Sequence, residues 1–243
     1  MDDVNSFWKF IMKFKSKLIP GKLQKRYKRF FVDVESKGEI LTAHCPNSGS
    51  MLGLLDKKNK TWISPADNPN RKLKYTIEII NDQKSNVGVN THLANRIVEE
   101  AIKKKLIKEI NCYSQFQREV KFGAHSRLDF QLSHKEKKAF LEVKNVTLSR
   151  ERNIAEFPDA VTSRGLKHLE ELQKARKQGY ESFLIYLVQR EDCKEFRIAK
   201  DIDPHYYKGF LKAKKNGVNF LSYSCKVNEK EICVNKPIKI LFK

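Results

Sequence analysis

The sequence predicts an α/β chain, α+β overall, in which a small β-barrel precedes a mixed-sheet domain. Between Phe30 and Asn81, apolar residues fall in short alternating runs broken by turns rich in Pro, Asn, Ser and Gly. From Asn90 onward the pattern reads helix, three strands, helix, strand, with a helix and further strands appended. Within that order Phe183 to Val188 (FLIYLV) is apolar on both faces, the mark of a strand buried in mid-sheet. The chain's 243 residues, 40% hydrophobic with 15 Phe and 8 Tyr, are ample for such a core.

Taken in order, Met1 to Ile19 places Phe7, Trp8, Ile11, Phe14 and Leu18 near helical spacing among lysines. This predicts an amphipathic basic helical extension over 1–19, docked on its own domain or exposed as an appendage in preference to lying on a membrane. Pro20-Gly21 is expected to break it, and the barrel to occupy 20–85. Strands are expected at Phe31–Glu35, Glu39–Ala43, Thr61–Ile63 and Leu73–Ile80, about five in all. His44 reads as a partly buried structural histidine and Ser48 as a turn residue. The polar stretch Asn81 to Asn90 marks the boundary to a second domain over 86–243.

There, Asn90 or Thr91 caps a helix expected to reach Lys108. Glu100 lies at the edge of its apolar stripe and could look into a site, whereas Glu99 should face water. Phe116–Phe122 alternates as a strand. Thr162 or Ser163 caps a helix through Gln178, and Asp203-Pro204 opens another through Lys215. Val218–Tyr223 is a further strand, and Glu231–Phe242 is an edge strand because Pro237 cannot donate a ladder bond.

Charge narrows the function. Lys+Arg 49 against Asp+Glu 29 sums to +20, a field that attracts polyanions: nucleic acid first, anionic membrane second. Five scattered cysteines without C-x-x-C spacing fit a reducing cytoplasm and argue against a disulfide framework or structural zinc. No apolar run approaches the roughly 18–20 residues that a membrane span requires.

Ser126 to Thr147 carries the candidate chemistry. Asp129 falls on one strand and Glu142-x-Lys144 on the next, with Glu142 and Lys144 on one face. Two carboxylates suit Mg²⁺ or Mn²⁺, and a neighbouring lysine can position water or offset charge on a phosphate. Glu100 is a candidate third acid. The basic run Lys25, Arg26, Lys28, Arg29, together with Arg71, Arg127, Arg164, Lys167 and His168, supplies candidate phosphate contacts. The last three sit near a helix N-terminus. A solvated sheet face and ordinary lead-in lysines explain the same letters.

The order Asp129, then Glu142-x-Lys144, resembles the PD-(D/E)XK nuclease-like superfamily, with Leu128 where the superfamily name has Pro. Pro158-Asp159 comes too late to supply the first acid. After the N-terminal segment, the chain resembles the sugar fermentation stimulation protein A family. The resemblance rests on Lys25–Phe30 (KRYKRF), His44–Gly49 (HCPNSG), Asn68–Leu73 (NPNRKL), Val89-Asn90-Thr91, Ser126–Phe130 (SRLDF), Leu141–Lys144 (LEVK), and Phe157–Val161 (FPDAV) through Arg164–Leu169 (RGLKHL). It implies an OB-like barrel, a PD-(D/E)XK-like second domain, DNA binding (RNA staying open) and a regulatory role in sugar (maltose) metabolism. Three readings follow: a DNA-binding protein with a metal site, an active metal-dependent phosphodiesterase, and a basic membrane-surface or structural protein.

Overall fold

The structure, a computed structural model, describes residues 12–68, 70–123 and 126–242. β1 (Ile19–Tyr27), β2 (Phe31–Ser36), β3 (Glu39–His44), β4 (Lys60–Pro65), β5 (Tyr75–Asn81) and β6 (Asn86–Gly88) form the first sheet. It is antiparallel except where β3 meets β5 in parallel, Ala43 opposite Tyr75 and His44 opposite Thr76. That pairing closes β1-β2-β3-β5-β4 into the five-stranded OB barrel. Leu23, Val32, Val34, Ile63 and Ile77 fill its interior. β6 pairs with β5 outside that closed barrel and extends the sheet to Gly88.

Two expectations are corrected at the N-terminal side. Residues 1–11 of the expected helix lie outside the described residues, and 12–18 are not helical, with an isolated bridge from Lys13 to Glu231 and a bend at Lys15–Ser16. Phe14 N–H donates to Lys230 O (3.0 Å) and Ile232 N–H to Met12 O (3.2 Å), while Met12 and Leu18 are buried in the second domain's core. Strand pairing therefore overrides the helical spacing of this stretch. Nor does Pro20-Gly21 break the chain; β1 runs straight through it. A Cβ at Gly21 would collide with the Val34 side chain and stand 2.6 Å from Glu35 O, so this glycine permits close approach of β2.

The second domain opens with α1 (Ala94–Lys103), followed by β7 (Gln115–Phe122), β8 (Ser126–His134), β9 (Lys137–Val146), β10 (Leu148–Glu151) and β11 (Ile154–Phe157). Then come α2 (Ser163–Lys177), β12 (Glu181–Val188), β13 (Glu195–Ile198), α3 (Pro204–Lys215), β14 (Asn219–Val227), β15 (Ile232–Pro237) and β16 (Lys239–Leu241). Within the main sheet the expected helix–three strands–helix–strand order is present, with β10 and β11 inserted before α2. Its main sheet runs β15-β14-β12-β9-β8-β7, parallel at its centre and antiparallel at both edges. β12 lies in the middle: Phe183, Ile185 and Leu187 pack on the α1 side, and Leu184, Tyr186 and Val188 on the α2–α3 side.

α1 stops five residues short of Lys108. Lys105 takes a left-handed φ of 54° and Leu106 N–H returns to Ala101 O, so Ile107 and Ile110 turn into the core. Thr162 Oγ1 caps α2 through Gly165 N–H (3.0 Å), and Asp203 caps α3 through Tyr206 N–H (2.9 Å). β15 is the expected edge strand, but at Pro237 the chain leaves it and β16 joins a second sheet, β10-β11-β13-β16. That small sheet was not anticipated. Its strands are only three or four residues long, too short for an alternation signal.

Candidate metal and phosphate site

The site forms where two paired strands part. β8 and β9 pair from His134–Lys137 as far as Phe130–Leu141, and there the ladder ends. Continued in register, Leu128 would face Val143; instead Val143 N–H donates to Asp129 Oδ2 (2.7 Å). The carboxylate thus replaces a ladder bond and holds the strands apart. On its other side Asp129 Oδ1 accepts from Asn95 Nδ2 of α1 (2.8 Å). β7 adapts as well, since Glu119, opposite Asp129, takes a φ of 52° between the pairs Arg118–Phe130 and Val120–Leu128. A non-glycine residue there carries backbone strain, which often gathers at functional sites.

Glu142 lies on the α2 side of β9, flanked by Phe140 and Val146 of that core. It is 2% exposed, and its Oε1 accepts from Lys144 Nζ (2.9 Å) and from His168 Nδ1 of α2. Arg164 Nε is 3.4 Å from His168 Nε2. Arg164 makes Nε2 an acceptor, and Nδ1 sits between Glu142 Oε1 and Lys144 Nζ (2.9 Å). A chain therefore runs from Arg164 through His168 to Glu142, with Lys144 beside it. Glu142 Oε2 is buried and has no partner.

The two acids differ in electrostatics. Burial raises the Asp129 carboxyl to about 6, and the nearby Glu142 charge adds to that. Burial acts in the same direction on Glu142, but Lys144 and His168 outweigh it and hold its carboxyl below the ordinary range. Asp129, Arg127, Arg164, Lys167 and His168 line one cleft of about 740 Å³, together with Asn95, Glu119 and Lys121. Glu142 and Lys144 are not part of that lining; they lie behind it, joined to the cleft through His168.

Other expected residues fall elsewhere. Glu100 does not reach the cleft; Lys104 Nζ is 2.9 Å from its carboxylate, and it lies near Cys233 of β15. Glu99, expected to face water, bridges to Arg118 (2.9 Å) and Lys103. His168 braces Glu142 rather than offering a free contact to phosphate. Arg26 is spent within the barrel, donating to the carbonyls of Arg29, Asn47, Gly49 and Ser50 at 2.8–3.3 Å. Lys25 pairs with Asp33 (3.5 Å), while Lys28 and Arg29 are exposed in the β1–β2 turn. Arg71 lines a separate cavity near His44. Asn95, Glu119 and Lys121 carried no signal in the sequence beyond their positions on amphipathic elements.

Among the described residues no three His, Cys, Asp or Glu side chains are grouped to hold a metal, so a cation here would complete its shell with main-chain oxygen or water. No described helix is long and apolar enough to cross a membrane.

Residues 25–89 match the family described as SfsA N-terminal OB domain, and residues 92–231 that described as Sugar fermentation stimulation protein RE domain. The chain is similar to the sugar fermentation stimulation protein homolog of Pelagibacter ubique, 55% identical over 230 residues, covering 95% of this chain and 99% of that one. The homolog of Maricaulis maris is 43% identical over 231 residues, covering 94% and 98%. Among solved structures, that of Pyrococcus furiosus SfsA in complex with Ca²⁺ superposes with a TM-score of 0.87 at 24% identity, covering 95% of this chain and 98% of that one. That last likeness is one of fold.

Proposed function

The chain belongs to the sugar fermentation stimulation protein family, and from that premise we propose a DNA-binding protein whose second domain holds Mg²⁺ or Mn²⁺ for phosphodiester hydrolysis. One observation carries the reading: Glu142 Oε2 is buried without a partner, beside an Asp129 carboxyl that resists ionising. A buried carboxylate oxygen left unpaired is costly, and a hard divalent cation would satisfy both acids together. The Ca²⁺ carried by the Pyrococcus furiosus relative is a cation of that kind.

Asp129 and Glu142 would hold the cation, and when bound it supplies charge neutralisation at the phosphate and a more acidic water. Asn95 and Val143 N–H orient Asp129; His168 orients Glu142. The Lys144 ammonium, anchored on Glu142 Oε1, positions the attacking water or offsets the charge that builds on phosphate. Arg127, Lys121 and Lys167 line the cleft where a DNA backbone would run. The packing of Met12 and Phe14 on the second domain's core disfavours membrane attachment through these residues.

The test is incubation of linear and supercoiled DNA, and of RNA, with Mg²⁺ and with Mn²⁺. Metal-dependent cleavage is expected, and it should vanish in Asp129→Ala and Glu142→Ala. If wild type cuts nothing, or the variants cut equally well, hydrolysis is excluded. DNA retention in gel shifts then measures binding on its own.

A further inference from the structure

A second cavity, of about 200 Å³, lies between the barrel and the start of α1 and shares no lining residue with the Asp129 cleft. Its walls are the end of β3, the start of β5, the loop after β4 and residues 90–96. Met12 to Ser16 crosses one side, tied to the β14–β15 turn by Phe14 N–H to Lys230 O and to the barrel by the Lys15–Asp67 ion pair. We propose that this cavity binds a phosphate group.

Four groups point to an anion. Arg71 and Arg96 both line the cavity; one Nη of Arg71 reaches Thr76 Oγ1 (3.1 Å). His44 and His92 bring their imidazole rings to 6.4 Å. His44 Nδ1 is buried with no partner, so a polar atom is kept at the wall at a cost no protein group offsets. Both acidic wall residues are already partnered: Asp67 pairs with Lys15, and Glu78 Oε1 accepts from Ser64 Oγ (2.7 Å) and Oε2 from Asn90 Nδ2 (2.9 Å). A metal is the obvious rival occupant for two histidines and a glutamate. Yet among the described residues no three such side chains are close enough together to hold one.

What the cavity offers is two planar guanidinium forks, imidazole nitrogens and hydroxyls. Arginine forks match the tetrahedral oxygens of phosphate, giving paired charge-assisted hydrogen bonds that a lysine does not provide. The source is the end or backbone of a nucleic-acid strand, or a small phosphomonoester. α1 joins the two sites: Asn95 bonds Asp129, and Arg96, the next residue, lines this cavity.

Titration of the full chain with inorganic phosphate, in EDTA and at constant ionic strength set with chloride, tests the proposal without using metal or cleavage. Saturable single-site binding is expected, with shifts of the His44 and His92 ring protons in NMR spectra. Arg71→Gln with Arg96→Gln should weaken it at least ~10-fold, the worth of one charge-assisted contact. Lys137→Gln, on the distant β8–β9 hairpin, should not. His44→Gln offers a second route if the double variant fails to fold. Absence of saturation, or equal weakening by Lys137→Gln, overturns the proposal. The source follows from paired oligonucleotides. Tighter binding of the 5′-phosphorylated strand than of its 5′-hydroxyl twin, lost in the arginine variants, assigns a strand end. Phosphate binding that neither oligonucleotide displaces assigns a small phosphomonoester.

Discussion

At the scale of single residues, the site trades stability for readiness to take a cation. The Asp129 carboxyl titrates near 6 in the fold against an ordinary 3.8, so the folded protein binds this proton more tightly than the unfolded chain. The associated stability is full below about pH 4 and lost as pH rises through 6, about 3 kcal/mol at most by pH 7.5. Asp129→Asn puts an NH2 against one of the two donors at every pH, so the linkage is read from the change with pH: relative to this variant, wild type in EDTA should lose about 3 kcal/mol between pH 4.5 and pH 7.5. Added Mg²⁺ should stabilise wild type at pH 7.5 and leave the variant unmoved; a difference between wild type and variant that stays constant from pH 4.5 to pH 7.5 would count against this account. Asn95→Ala strips Asp129 Oδ1 of its donor and should weaken Mg²⁺ binding several-fold in calorimetry. Glu100→Gln, remote beside Lys104, should not. Asp129, Glu142 and Lys144 were legible because alternation along two strands joined by a short turn sets their places. Asn95 was not legible: its bond to a residue 34 positions away depends on the roll of α1 over the sheet, which its own stripe leaves undetermined. The same roll sends Glu100 to β15.

At the scale of elements, what the sequence revealed depended on how much of each signal was local. Caps at Thr162 and Asp203 act over three residues and were read correctly, as was the buried character of β12. Where tertiary pairing decided the outcome, the local reading failed, as at β1. Proline and glycine look like a break, but Pro20 and Gly21 pair with Trp62 and Thr61 of β4, and Gly21 also lets β2 approach. Gly21→Ala should then destabilise the barrel by roughly 2 kcal/mol, because the obstacle includes the carbonyl of Glu35, which cannot swing aside. Urea unfolding measures it; an unchanged midpoint would mean that the strands separate freely at this point. The small β10-β11-β13-β16 sheet escaped for a related reason: β13 and β16 find their partners only after the chain has folded around α2 and α3.

At the scale of the whole molecule, charge and domain coupling set behaviour that no single site explains. With a formal charge of +20, DNA binding should weaken linearly on a log–log plot against salt, with a slope of about −0.9 per phosphate neutralised. Affinity indifferent to salt would return the surplus to an idle surface. The barrel and the sheet domain meet through a buried ion cluster. The Arg190 guanidinium, 1% exposed, donates to Asp82 of the barrel (2.8 Å), to Asp192 (2.7 Å) and to Thr147 O (3.0 Å). Alongside it, Gly88 N–H donates to Gln189 O (2.9 Å) and Asn86 Nδ2 to Val227 O (3.2 Å). Asp82 and Asp192 would lose their shared cation if Arg190 were removed, and breaking such a pair costs about 3–5 kcal/mol. The two domains should therefore unfold as one unit in wild type, and Arg190→Ala should either lower that single midpoint steeply or split it in two. Trp62, on β4 but packed against the second domain's core, reports the contact between the domains once Trp8→Phe leaves it as the sole tryptophan, while circular dichroism follows the helices, which among the described residues all lie in the second domain. Coincident fluorescence and dichroism curves are expected for wild type. If they separate there, or if Arg190→Ala leaves both curves in place, the cluster does not couple the domains.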